Sequence, residues 1–259
     1  MGGPAPDTIL FGNRRMRSDL QQPREDLAAA LRYAAKLGLN EGICNHFSLA
    51  VSDDGNEFLV NPQGYHWSEL RASDIVLCHR DGRVLDGEGT VEATAYYIHA
   101  PIHAKRPEAK AVLHTHMPYA TSLTIVEDGR LEMVEQGALR FHNRIAYDDS
   151  YGGLALDHQE GERIADAMAD KPIAFLGHHG IVVTAPSIAK AFDDLYYLER
   201  AAQVQTLAKL HGKPLRAIPQ QIVEQTARQI NEESDLTQVQ AHFDAIKRML
   251  DRDDPRWRE

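Results

Sequence analysis

Cysteine is nearly absent. The 259 residues contain only Cys44 and Cys78, with no Cys-x-x-Cys spacing, which excludes a disulfide framework and a cysteine-based zinc site and fits a reducing cytoplasm. Basic charge is also short: 28 Lys and Arg stand against 38 Asp and Glu, a formal net charge of -10. Non-specific nucleic-acid binding uses basic surface to displace phosphate counterions, so nucleic acid is not an expected partner. Nowhere do eighteen apolar residues run together, and the N-terminus MGGPAPDTILFGNRRMRSD lacks the apolar stretch of a signal peptide. A soluble cytoplasmic protein without a membrane partner is expected. Internal repeats, low-complexity tracts and a Gly-rich phosphate fingerprint are missing too, which removes the basis for a simple Rossmann reading.

What is present suffices for one large core, with 43% hydrophobic residues. Residues 1–22, rich in Gly, Pro and Arg, read as an N-terminal arm. Residues 23–259 read as a single domain with a charged helical extension from about 213. PREDLAAALRYAAKLG reads as a helix, with Pro23 in its first turn, Leu27, Leu31 and Ala34 on one face and Gly38 as its stop. HFSLAVSDDGNEFLV and DIVLCHRDGRVL alternate around DDGN and DG turns and predict two hairpins. VEATAYYIHAPIHAK is helical with Ala95, Ile98 and Ile102 on one face; Pro101 should kink it or begin a new segment. KPIAFLGHHGIVVTAPS predicts two buried strands around a glycine-bounded turn, and a long helix follows from Ser187 to Gly212. Strands interleaved with helices, without regular βαβ units, predict a mixed α/β sandwich.

Two histidine clusters carry chemistry. In AVLHTHMPYA, a strand would put His114 and His116 on the same face, where both imidazoles reach one ion. The pair reads equally as the polar face of a strand unless a third ligand exists, because an open catalytic zinc-type site needs three protein ligands. FLGHHGIVV offers that ligand. His178 and His179 lie in a Gly-flanked turn between strands, and one of them, by preference His179, completes a three-imidazole set.

In combination these segments resemble the class II aldolase/adducin family over roughly residues 24–212. GICNHFSLAV is similar to the family's early glycine, Asn/His and Ser element, and FLVNPQGYHWSELRASDIVLCHRDGRVL to its hairpin region. IHAPIHAKRPEAKAVLHTHMPYATSL matches its helix, Arg-Pro and HxH stretch. YGGLALDHQEGERIADAM, FLGHHG and AFDDLYYLERAAQVQ resemble its closing segments. The resemblance implies an α/β/α sandwich, commonly a homotetramer with sites near subunit interfaces. His114, His116 and His179 would be its metal ligands for one divalent ion per subunit, Fe2+, Zn2+ or Mn2+. His178 falls where the family usually has Asn.

The chain departs from that pattern in two places. Aldolases of the family carry a Glu nineteen residues before the first HxH histidine, whereas the corresponding position here is Ala95. Glu92, one helical turn away, is the candidate acid, with a solvent-facing helix-start acid as the other reading. His66, Tyr119 or a C-terminal residue of a neighbouring subunit are the other candidate proton donors. The sugar-phosphate aldolases receive phosphate on a Ser-Gly turn and paired serines, but this chain has NPQG and EATA there. Asn45, Ser48, Gln63, Gly64 and Thr94 would instead suit a carboxylic acid without phosphate. Tyr65, His66, Trp67, Tyr96 and Tyr97 would accommodate a planar ring, or belong to the core. Arg140 and Arg144 would clamp a carboxylate or bridge subunits. His99 and His103, four apart on one helical face, would form a second metal pair or line the site.

Three functions follow from the resemblance. The first is a divalent-metal lyase, of decarboxylase or aldolase type, that cleaves a C–C bond beside the carboxylate of a small hydroxy or oxo acid. The second is a non-haem Fe(II) oxygenase that oxidatively decarboxylates an aryl 2-oxo or 2-hydroxy acid. The third is an adducin-like interaction module that keeps the fold without catalysis.

Overall fold

A computed structural model describes residues 17–233 and 236–259. Most of the expected N-terminal arm, residues 1–16, lies outside the described residues. From Ser18 the chain is already helical, a 3-10 turn over Ser18–Leu20 running into α1 (Gln21–Lys36). Pro23 therefore sits inside the first turn rather than at its edge, where its missing N–H has no intrahelical partner to lose. The helix buries Leu27, Leu31 and Ala34 and ends at Gly38, whose φ of 71° is the left-handed conformation a helix stop requires.

Both predicted hairpins form: β1 (His46–Ala50) with β2 (Glu57–Val60), and β3 (Val76–His79) with β4 (Val84–Asp86). The chain then builds α2 (Ala93–Lys105), β5 (Ala111–Thr115), α3 (Pro118–Thr124) and α4 (Gln136–Leu139). After these come β6 (Ile145–Asp148), α5 (His158–Ala167), β7 (Ile173–Leu176) and β8 (Gly180–Ala185). The long α6 (Ile188–Lys209), α7 (Gln220–Arg228) and α8 (Leu236–Asp253) close the described chain. The eight strands form one sheet in the order β4-β3-β2-β1-β5-β8-β7-β6, antiparallel except for the parallel pair β6 and β7.

Strand alternation divides this sheet into two buried faces. Phe47, Leu59, Leu77, Leu113, Phe175 and Val183 point into a core shared with α1, α3, α6 and α8. Val112, Ala174, Leu176 and Val182 point the other way, against Ile98 and Ile102 of α2 and Ile164 of α5. The architecture is an α/β/α sandwich around a mixed sheet. No helix among the described residues is long and apolar enough to cross a membrane.

Helix α2 runs unbroken through Pro101. Proline deprives the carbonyl one turn back, that of Tyr97, of its helical partner. Gly161 of α5 packs against that carbonyl so closely that an added Cβ would lie 2.0 Å from the oxygen. The proline thus marks a helix crossing rather than a new segment.

Where α2 covers β1 the seam is polar. His46 Nδ1 lies 2.9 Å from His99 Nε2, Ser48 Oγ lies 2.5 Å from His99 Nδ1 and 2.8 Å from His103 Nε2, and His103 Nδ1 lies 3.3 Å from the Ala109 carbonyl. All four side chains are buried. His99 and His103 are therefore joined through Ser48 and not poised as a second metal pair. Burial is the main force pushing all three imidazoles toward the neutral form: His103 falls to about 4, and His46 and His99 fall well below their ordinary value.

Acid sensitivity follows. Above the unfolded pKa of about 6.5, His103 is neutral in both states and contributes no pH dependence. Between about 6.5 and 4 the unfolded chain takes up a proton that the folded chain refuses, so stability drops as pH falls. His103 alone accounts for about 3 kcal/mol across that window, with His46 and His99 acting in the same direction. In the presence of a chelator the urea midpoint should fall steadily from pH 7 to pH 5. Equal midpoints at the two pH values would show that the seam accepts protons without unfolding.

Candidate metal centre

The strand expected around HTH is β5. It pairs with β1 on one side and β8 on the other, with His114 opposite His46 and opposite Val182. His114 shares its face with Val112, toward α2 and α5, while Thr115 between the two histidines turns back and donates its hydroxyl to the Leu39 carbonyl. His116 lies just past the end of β5. His179 comes from the turn joining β7 to β8, so the three imidazoles converge from two neighbouring strand ends. Their ring centroids are 4.8–5.1 Å apart, and each offers a ring nitrogen within 4.8 Å of the others.

Hydrogen bonds fix which nitrogen faces the centre. His114 Nδ1 lies 3.0 Å from the Ile181 carbonyl, which can only accept, so Nδ1 carries the hydrogen and Nε2 keeps its lone pair. His116 Nδ1 lies 2.5 Å from Glu41 Oε2, a carboxylate that imposes the same tautomer. The released Nε2 of His116 is buried and has no hydrogen-bond partner. A buried acceptor without a partner is costly unless something meets it, and a cation does. Burial also keeps His114 well below its ordinary pKa and pulls His179 down to about 4. Three imidazoles in mutual reach, with the Nε2 of His114 and His116 left bare by their Nδ1 bonds, are the donor set a divalent ion takes.

Two glycine-region details hold this geometry. A Cβ at Gly180 would lie 2.6 Å from His116 Cδ2 and 2.9 Å from the Thr115 carbonyl, so only glycine lets the β8 start approach the ring. His178 adopts φ 56°, which His and Asn tolerate better than most residues; that conformation turns the chain so that His179 faces inward and His178 remains exposed against Tyr151.

A family model described as Class II Aldolase and Adducin N-terminal domain matches residues 25–206. The chain belongs to the class II aldolase and adducin family. An adducin-related protein of Schizosaccharomyces pombe is 33% identical over 200 residues, 73% of this chain and 60% of that protein, so the match leaves part of the longer relative uncovered. The decarboxylase NovR of Streptomyces niveus is 28% identical, covering 78% of this chain and 75% of its own length. A 4-hydroxy-3-prenylphenylpyruvate oxygenase/4-hydroxy-3-prenylbenzoate synthase of Streptomyces roseochromogenus is 27% identical, over 78% and 73%. Among solved structures, an aldolase II superfamily protein from Pseudomonas syringae superposes with a TM-score of 0.88 at 31% identity, covering 95% of this chain and 98% of that one.

Within this class II aldolase fold the other sequence candidates are scattered. Asn45 holds φ 72° at the start of β1, and its side-chain carbonyl accepts the His116 backbone N–H at 3.4 Å, so it braces the centre. Gln63 and Gly64 form an exposed turn tied to Thr90, just ahead of α2. Thr94 is half-buried, 3.2 Å from His46 Nε2. Ser48, expected to touch substrate, is fully buried between His99 and His103 and has no open face.

Glu92 caps the start of α2 without bonding its N–H groups, and it lies close enough to Cys44 to raise the thiol pKa, as does Glu41, behind the larger effect of burial. Both carboxylates act on Cys44, and of the two Glu41 also bonds His116 of the cluster. His66 bonds Asn40 and Ser68, and Tyr119 lines a cavity of about 240 Å³ with Leu37, Leu39 and Glu199; neither ring stacks on or bonds the cluster. Ala95, at the position of the aldolase Glu, is buried in an apolar cluster with Phe58 and Val60.

Other expectations give way. Trp67 is a core residue packed at a tilt against Phe47, Tyr96 packs on Tyr97, and Tyr65 is exposed, so these rings do not form one aromatic wall. Arg140 and Arg144 are occupied by Asp193 and Asp194 of α6, carboxylates of their own chain. The guanidinium whose charge reaches His179 is Arg163 of α5, itself paired with Glu160 and Asp148.

Glu41 and His46 were not singled out as site residues in the sequence, yet they touch His116 and His114 respectively. Removing the Glu41 carboxylate by Glu41→Gln should weaken zinc or manganese binding about 10- to 100-fold. Gly180→Ala, which must displace the His116 ring, should weaken it further. Calorimetric titration of the two variants checks this; wild-type affinity in both would show that His116 is not a ligand.

Proposed function

We propose that this chain is a divalent-metal enzyme that cleaves a C–C bond beside the carboxylate of a small hydroxy or oxo acid without phosphate. The observation that carries the reading is the buried, unpartnered Nε2 of His116 inside a cluster of three imidazoles, two of which, His114 and His116, are held by their Nδ1 bonds with Nε2 bare. A structural polar cluster would satisfy that nitrogen internally.

His114, His116 and His179 would hold one ion, with Glu41 and Asn45 fixing His116. When bound, the ion supplies Lewis acidity that draws electron density from the breaking bond. Three protein ligands leave room for a bidentate acid. Gln63 and Thr94, at the turn and helix start before α2, supply polar contacts to that acid. Glu92, uncommitted to capping, is the group in reach of this rim that can give or take a proton. The absence of serines in NPQG and EATA supports an unphosphorylated substrate.

A second reading has its own support: an Fe(II) oxygenase acting on an aryl 2-oxo or 2-hydroxy acid. The cluster consists of imidazoles alone, the aldolase Glu is replaced by buried Ala95, and one relative at 27% identity is named an oxygenase. The adducin-like alternative, a non-catalytic module, is opposed by the convergence of three histidines around the unpartnered His116 Nε2.

The lyase reading predicts that protein purified anaerobically and loaded with manganese or zinc releases CO2 or an aldehyde from 2-hydroxy or 2-oxo acids without oxygen, and that Glu92→Gln slows turnover at least about 100-fold. Activity that appears only with iron and consumes oxygen stoichiometrically selects the oxygenase. No turnover with any metal on a panel of aryl and alkyl acids removes both.

A further inference from the structure

The polar seam between β1 and α2 has a direction. The Ala109 carbonyl can only accept, so His103 Nδ1 carries the hydrogen across the 3.3 Å contact. A neutral imidazole then has no hydrogen on Nε2, and the Ser48 hydroxyl must donate to it across 2.8 Å. That uses the only hydrogen Ser48 has, so Ser48 accepts from His99 Nδ1 at 2.5 Å. His99 Nε2 is then bare and accepts from His46 Nδ1 at 2.9 Å, leaving His46 Nε2 bare in turn. The remaining donor for His46 Nε2 is the Thr94 hydroxyl at 3.2 Å. Reversing any one bond would leave a carbonyl facing a lone pair, or two hydrogens between one donor pair, in a region with little water.

We infer that this one-way chain, anchored on the Ala109 carbonyl, makes Thr94 a specificity-determining residue. Its hydroxyl hydrogen is held on His46, so Thr94 Oγ1 offers lone pairs alone and selects an acid bearing a free hydroxyl over the matching ether or oxo acid. The ring of His46 lies 5.2 Å from that of His114, so the end of the chain abuts the metal cluster, and the half-buried Thr94 is its last member. This inference rests on the proposed function for its substrate class. It goes beyond that reading by stating which functional group next to the carboxylate is favoured and why. Ser48, Thr94 and the three histidines act here through hydrogen-bond polarity; Ser48 and His103 are positioning residues.

Two measurements on zinc-loaded protein test it. Ring nitrogen NMR of histidine-labelled protein should find His46, His99 and His103 all as the Nδ1–H tautomer. Ser48→Ala should leave His103 unchanged but release His99 and His46 into mixed tautomers. An Nε2–H tautomer at any of the three in the wild type overturns the chain. The second measurement is calorimetric binding of mandelate, O-methylmandelate and phenylglyoxylate. The wild type should prefer mandelate by about fivefold to tenfold, the range of one net hydrogen bond. Thr94→Ser should keep that preference; Thr94→Val should reduce it below about twofold, and Ser48→Ala should diminish it. An unchanged preference in Thr94→Val overturns the inference and leaves the proposed function standing. Failure of all three acids to bind, with lactate and pyruvate failing as well, removes both.

Discussion

The antiparallel pairing of β1 with β5, with His46 opposite His114, is the constraint on which the site depends. It places His46 and Ser48 of β1 and His114 of β5 on the same side of the sheet, toward α2. A one-residue slip in register would turn these side chains into the opposite, apolar core. The apolar partners on that other face, Phe47 and Leu113, resist such a slip because each is fully buried. Hydrophobic packing on one side of the sheet therefore holds a polar, chemically competent arrangement on the other.

That arrangement is built from groups which burial alone would disfavour. A seam that packs His46, Ser48 and His114 of the sheet against His99 and His103 of α2 needs hydrogen bonds for its buried polar atoms. The seam meets the requirement by ordering its donors and acceptors in one line, and His114 meets it through the Ile181 carbonyl. His116 Nε2 is the exception. The contrast gives the exception meaning: beside imidazoles joined by directed bonds, the bare Nε2 of His116 faces the cluster that His114 and His179 complete.

Much of this was legible from local sequence. The HTH strand, the two hairpins, the β7–β8 turn with His179 and the long helix from Ser187 all follow from period-2 alternation, DG-type turns and caps, which are local signals. Helix α5 also carried one, since Asp157 caps its start and accepts the Glu160 N–H, yet the glycine-rich stretch before it obscured the pattern. The roles of Glu41 and His46 were not legible, because each meets its histidine through contacts 75 and 68 residues apart in the chain (116 − 41 and 114 − 46) that no periodicity encodes. Trp67 and Ser48 show the opposite error: residue types suited to binding lie near the site in sequence but turn into the interior.

The central claim is that His114, His116 and His179 bind one divalent ion. Elemental analysis of protein purified anaerobically, beside a His116→Ala variant, tests it most directly. The account predicts about one equivalent of a transition metal per chain, retained through gel filtration and lost in the variant, as an open three-histidine site requires. Less than about a tenth of an equivalent in the wild type after reconstitution, or equal metal in the variant, would contradict it.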